Sequence, residues 1–118
     1  MKLKSNFFIS LFFVFLLLIT ACNNGSPKYD DFAQCLASKD VKMYGTEWCP
    51  HCKAQKELFG KSFQYVDYTD CDKYKEECLV AGVEGYPTWV IDGKSYAGTQ
   101  SLEKLAYYSG CELNPQTT

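Results

Sequence analysis

Two cysteines two residues apart, set between a strand-like stretch and a helix-like one, constrain this chain more than any other feature. The segment is Trp48-Cys49-Pro50-His51-Cys52, preceded by the run Val41 to Tyr44 and followed by Ala54, Leu58 and Phe59. Thiols at this spacing can close into a disulfide and reopen, which makes the pair a two-electron switch rather than a staple. Pro50 fits the first turn of a helix, where its missing N–H costs nothing, so the helix is expected to begin near Cys49. A thiol there meets the positive end of the helix dipole and unpaired backbone N–H groups, which favour the thiolate. Cys49 is therefore the expected nucleophile. Cys52, one turn further in, is the more buried resolving thiol. His51 lies between them, and an imidazolium there adds to the stabilisation of the Cys49 anion. A stabilised reduced form makes the disulfide form more oxidising.

His51 is also the only histidine of the 118 residues. A Ser-His-Asp triad, a remote Cys-His arrangement beyond this motif and a two-histidine metal site are thereby excluded. The chain has no arginine, and beyond residue 21 its 10 lysines face 14 acids, a formal charge of −4. Nothing in that balance suggests a nucleic-acid surface.

The first 21 residues read as a signal sequence. Lys2 and Lys4 form a positive start, and Phe7 to Ile19 is an apolar run interrupted by Ser10. That length is short for a membrane span and suits a signal core. Ile19-Thr20-Ala21-Cys22 resembles the lipobox of bacterial lipoproteins, which implies lipidation of Cys22 and an extracytoplasmic, membrane-anchored protein. The competing readings are an uncleaved anchor and an ordinary signal peptide. Assigning Cys22 to lipid leaves six of the seven cysteines, an even number suited to an oxidising compartment. Residues 22–28 form a short polar linker. Fully extended, the path from Cys22 to Tyr29 spans roughly 25 Å, which holds a domain close to the lipid.

Within the expected domain, residues 29–113, Tyr29 to Lys39 has helical spacing with Phe32, Cys35 and Leu36 inward. Val41 to Tyr44 is a strand. The helix from Cys49 carries Ala54, Leu58 and Phe59 on its apolar face and stops at Gly60. Residues 63–68 alternate as a second strand. Cys71 to Gly82 is a loop and short helix. Thr88 to Ile91 and Lys94 to Ala97 form a hairpin about Asp92-Gly93, a strong two-residue turn signal. Ser101 caps a last helix, with Leu102, Leu105 and Ala106 inward and Gly110 at its end. Residues 114–118 are a tail. The order α-β-α-β-α-β-β-α predicts an α/β fold with a right-handed βαβ unit around the cysteine pair.

From about Phe32 to Cys111 the chain resembles the thioredoxin-like domain attached to bacterial vitamin K epoxide reductase homologues. The resemblance rests on Lys42-Met43-Tyr44-Gly45, Trp48-Cys49-Pro50-His51-Cys52, Gln55-Lys56-Glu57-Leu58-Phe59-Gly60, Gly85-Tyr86-Pro87-Thr88-Trp89 and Ser101-Leu102-Glu103. The Cys-Pro-His-Cys core is also similar to that of DsbA-type oxidases. A thioredoxin-like fold with a central mixed four-stranded sheet flanked by helices follows from the resemblance. So does a cis-proline at Pro87, which would lie against the cysteine pair and expose the backbone of Tyr86 to an extended substrate. Trp48, Pro50, His51, Tyr86 and Pro87 are thus the expected tuning and binding residues. The implied activity is oxidation of dithiols in exported proteins by a monomer that needs no cofactor beyond its own disulfide. Reoxidation would come from a vitamin K epoxide reductase-like or DsbB-like membrane partner, here a separate protein. Thioredoxins usually bury an aspartate where this chain has Met43, and its absence fits an oxidant.

Cys71 and Cys78 match a second pair in the resembled domain, implying a structural disulfide or a second redox pair. If they bond, Cys71 must precede the helix, because seven helical residues rise about 10.5 Å, beyond disulfide reach. Cys35 and Cys111 remain, and a bond between them would close nearly the whole domain. The first and last helices of this fold usually pack on opposite faces of the sheet, so that bond would have to use the tail beyond Gly110. Other readings stay open: a reductase or isomerase of the same fold, copper handling by the dithiol, six purely structural cysteines, or zinc at Cys49, Cys52, Cys71 and Cys78. The last pattern, C-x2-C-x18-C-x6-C, is close to a zinc-ribbon spacing.

Overall fold

A computed structural model of the chain describes residues 28–115. The expected signal sequence, Cys22 and the linker as far as Pro27 lie outside the described residues. Helix α1 (Asp30–Ser38) opens with two aspartates in its first turn, which complement the helix dipole, and buries Phe32, Ala33 and Leu36. Strand β1 (Lys42–Gly45) follows, then α2 (Pro50–Phe59), a 3-10 segment (Gly60–Tyr65), β2 (Asp67–Asp70) and α3 (Lys75–Val80). Strands β3 (Thr88–Ile91) and β4 (Lys94–Ala97) make the hairpin, and α4 (Leu102–Ser109) closes the domain. The hairpin turn has positive φ at both central residues, 50° at Asp92 and 74° at Gly93, as a two-residue turn matched to strand twist requires. The Ser101 hydroxyl accepts from the Lys104 N–H at 3.2 Å, and Gly110, at φ 73°, ends α4.

The sheet order is β2-β1-β3-β4, with β1 and β2 parallel and the other neighbours antiparallel. This is the mixed four-stranded, helix-flanked arrangement of the thioredoxin-like fold. Met43 lies directly across from Trp89, and both are fully buried on one face. Phe59 of α2 stacks on Trp89 at 6.1 Å and on Phe32 of α1 at 6.0 Å, and Leu102 and Leu105 of α4 join the same core. Three helices therefore share that face, and the first and last are on the same side of the sheet, not on opposite faces as expected. The opposite face is covered by α3, whose Cys78 packs with Tyr44 and Cys71.

Besides this, two local expectations fail, each for a packing reason. The segment 63–68 is not a strand: a 3-10 segment runs to Tyr65, and the strand begins at Asp67. Phe63 instead turns edge-on to Phe59 at 6.0 Å and to Tyr68 at 5.7 Å, while Ser62 accepts the Tyr29 N–H at 2.9 Å. These contacts tie the segment to the end of α2. Nor do Ala54 and Leu58 form the buried side of α2; both are exposed, and the buried residues are Cys52, Gln55 and Phe59.

Gln55 is the polar member of that buried face. Its Oε1 accepts from the Trp89 indole at 2.9 Å and the Gln100 N–H at 2.7 Å, and its Nε2 donates to the Gln100 carbonyl at 2.9 Å. One amide thus joins α2 to β3 and to the loop before α4. Gln55→Leu strands two donors and an acceptor, so a loss of about 2–4 kcal/mol is expected in urea unfolding. Leu58→Ser, on the exposed side, is expected to stay within about 1 kcal/mol of the parent.

Candidate active site

The site lies where β1 hands over to α2. Cys49 is the N-cap of α2, and its sulfur accepts the Cys52 N–H at 3.2 Å. That bond satisfies one of the donors a helix leaves unpaired at its start. The Cys49 thiol faces the Tyr86 carbonyl at 3.7 Å, and the Tyr86–Pro87 peptide is cis. Pro87 is buried behind it, and its carbonyl accepts the Gly98 N–H at 2.8 Å. Cys49 is 4 % exposed and Cys52 0 %. The rim sulfur is Cys49.

Trp48 and Tyr86 flank the rim, edge to face at 6.2 Å, with Trp48 64 % exposed. The indole N–H of Trp48 donates to Asp72 at 2.8 Å, and the Asp72 N–H in turn donates to Asp70 at 2.9 Å. Pro50 and His51 are exposed at the first turn, and the His51 carbonyl accepts from Thr99 Oγ1 at 3.2 Å. Asp72 and Thr99 escaped the sequence reading because nothing in their spacing marks them; only the fold brings their loops to the motif.

Beneath Cys52 the packing leaves no slack. A Cβ on Gly45 would lie 2.8 Å from the Cys52 sulfur and 3.3 Å from Tyr68 Cε2. The close approach of the second thiol to β1 therefore requires glycine there. Burial, followed by the hydrogen bond with Cys49, pushes the Cys52 thiol up to about 11. At neutral pH it is protonated. Burial persists when Cys49 is in a mixed disulfide, so attack by Cys52 on that bond is expected to accelerate steadily as pH rises above about 7 and beyond about 8. Stopped-flow measurement of that step checks this, and a plateau by about pH 8 contradicts it. The raised value also means that the folded dithiol keeps its proton longer than the unfolded chain. That contribution to stability is full below about pH 8.5 and is lost as pH rises through about 11.

The remaining expected residues fall into two closed pairs, Cys35 with Cys111 and Cys71 with Cys78, at Cα separations of 6.0 and 5.7 Å. Cys71 precedes α3. Among the described residues Cys49 and Cys52 alone are unbonded. The Cys71–Cys78 bond takes up two of the four sulfurs that the zinc-ribbon arrangement requires.

No family model matches the chain. It is 38 % identical over 101 residues to the thiol-disulfide oxidoreductase LTO1 of Arabidopsis thaliana, covering 78 % of this chain and 27 % of that protein. It is also 38 % identical over 86 residues to the protein disulfide isomerase-like 2-2 of Oryza sativa subsp. japonica, covering 61 % and 23 %. This is a thioredoxin-superfamily domain. These relatives are named for thiol–disulfide chemistry. The chain spans about a quarter of the length of these curated relatives. A third, the protein disulfide-isomerase of Aspergillus niger, is 35 % identical over 74 residues, covering 52 % of this chain and 14 % of that protein.

Proposed function

We propose that this thioredoxin-superfamily domain is a thiol–disulfide oxidoreductase that donates its Cys49–Cys52 disulfide to dithiols of exported proteins. The carrying observation is one rim sulfur over one sealed sulfur, with the other four domain cysteines already bonded. A substrate thiolate attacks the Cys49 sulfur. The Cys49–Cys52 bond breaks with its electron pair on Cys52, which takes a proton from water. The second substrate thiolate then attacks the substrate sulfur of the mixed disulfide, and Cys49 departs as a thiolate. The substrate is oxidised by two electrons and the protein reduced by two. Tyr86 offers its backbone beside Pro87 to an extended substrate segment.

Lipid on Cys22 holds the domain near the extracytoplasmic membrane face, where a quinone-linked membrane enzyme of the vitamin K epoxide reductase or DsbB kind restores the disulfide. Relatives named protein disulfide isomerase favour a second reading, isomerisation by the same pair. Titration of the full-length protein in detergent against glutathione buffers tests the direction. A Cys49–Cys52 potential of about −120 mV supports an oxidase, whereas one near −180 mV suits isomerisation. A value near about −270 mV overturns the oxidant reading in favour of a reductase. Absence of a reversible couple overturns the activity itself.

A further inference from the structure

When the Cys49–Cys52 bond opens, Cys52 leaves as an anion in a sealed space, and an anion there needs a compensating charge. Met43, fully buried on the same sheet face, brings none. Lys56 does. It stands four residues beyond Cys52 on α2, so its side chain leaves the helix on nearly the same side. Its side chain is only 24 % exposed. Nζ lies 4.2 Å from the centre of the Tyr68 ring and 5.5 Å from that of Phe63. It also meets both carboxylate oxygens of Glu47, at 3.2 and 3.3 Å.

Tyr68 is the link to the thiol. Its Cε2 and the Cys52 sulfur both border the space that a Cβ on Gly45 would fill, at 3.3 and 2.8 Å. The ammonium over Tyr68 therefore sits in the compartment into which the Cys52 anion is released. Around that compartment the ionisable groups are Cys49 and Lys56 from α2, Glu47 from the loop before it, and Tyr68 and Asp70 from β2. Burial and the neighbouring Glu47 carboxylate push the Tyr68 phenol above its usual range, so it stays neutral. Glu47 is 66 % exposed and its charge is screened by water more than that of Lys56. Among these groups Lys56 is the one cation.

We propose that Lys56, braced by Glu47 and seated on the Tyr68 ring, is the positioning charge that stabilises the Cys52 thiolate as the Cys49–Cys52 disulfide opens. This rests on the exchange reading above. A better stabilised leaving thiolate speeds the first attack, while the neutral-pH equilibrium, set by the protonated Cys52 thiol, is left nearly unchanged. Lys56 takes no part in bond making; it acts through Cys52.

The test compares full-length wild type with Lys56→Met, which keeps the stem on Tyr68 without the charge, Lys56→Gln as a second neutral variant, and Lys56→Arg. For each, the rate at which reduced glutathione opens the Cys49–Cys52 disulfide at neutral pH, the glutathione equilibrium and the pH profile of Cys52 attack on a Cys49 mixed disulfide are recorded. The neutral variants are expected to be opened by glutathione about three- to tenfold more slowly, with the neutral-pH potential unchanged because the released Cys52 is protonated there. Their pH profiles should move up by about one unit, while Lys56→Arg stays within about twofold of wild type. Neutral variants within twofold of wild type overturn the proposal. A shift in Lys56→Arg as large as in Lys56→Met also overturns it, since packing rather than charge then matters. A wild type with no reversible couple refutes the exchange reading and the proposal with it, whereas a normal wild-type couple with unmoved variants refutes the proposal alone.

Discussion

Cys49→Ser is expected to abolish disulfide exchange, with turnover of a reduced dithiol peptide falling at least about a thousandfold. Cys52→Ser is expected to lose turnover to a similar degree but by a different route. The reason is the asymmetry of the two sulfurs. Cys49 is at the rim, between Trp48 and Tyr86, with its sulfur 3.7 Å from the Tyr86 carbonyl. Cys52 is enclosed by β1 so tightly that even a methyl group on Gly45 would collide with its sulfur. An incoming thiolate needs a line of approach to the sulfur it attacks, and only Cys49 offers one. Without Cys52 the protein has no disulfide to donate and no thiol of its own to displace a partner joined at Cys49, so mixed disulfides through Cys49 accumulate. Without Cys49 the remaining thiol is protonated and inaccessible, and no adduct forms. Mass spectrometry of each variant after exposure to an oxidised peptide distinguishes these states. Adducts on Cys52 in the Cys49→Ser protein, or sustained turnover by Cys52→Ser, would contradict the assignment.

The cysteine pair, the hairpin and the last helix were legible because each carries its own local chemistry. Asp92-Gly93 can only turn one way between two short strands, and Ser101 and Gly110 bracket α4 with a cap and a left-handed stop. Residues 63–68 misled because alternating aromatic and polar residues satisfy a period of two whether or not a strand forms. Here Phe63 gains more by packing on Phe59 and Tyr68 than by joining the sheet. The inner face of α2 misled for the converse reason. Apolarity pointed to Ala54 and Leu58, yet the buried side includes Gln55, whose amide bonds to Trp89 and Gln100. A buried glutamine has no sequence signature, because its partners are 34 and 45 residues away. Lys56 is intermediate: its place four residues after Cys52 was readable, but the fold alone turns it inward onto Tyr68.

Removing the Cys35–Cys111 bond, in a Cys35→Ala/Cys111→Ala double variant, is expected to be the largest single loss of stability. The bonded residues are 76 apart in sequence, for which chain entropy alone gives about 4–5 kcal/mol as an upper figure. The Cys71–Cys78 ring, closed over 7 positions, is worth about 2–3 kcal/mol on the same basis. At about 4–8 °C per kcal/mol for a domain of this size, melting should fall by up to roughly 16–40 °C. A fall of under about 5 °C would mean that the reduced, unfolded chain is already restrained, or that the bond strains the fold as much as it ties it. The route of the bond explains why the fold accepts it. Helices α1 and α4 share one face, and Gly110, in the left-handed conformation, turns the chain after α4 so that Cys111 enters the same core as Leu36 and Leu105. Lys39, just past α1, donates to the Ser109 carbonyl at 3.0 Å and draws the same two helix ends together. This tie lies at the end of the sheet where β1 begins, since the Val41 N–H bonds back to Leu36. The Cys49 rim lies beyond the other end of β1. The double variant should therefore melt early yet, well below its melting temperature, exchange disulfides at Cys49 and Cys52 at close to the wild-type rate. A large loss of exchange in the folded variant would show instead that the distant bond holds the active-site end in place.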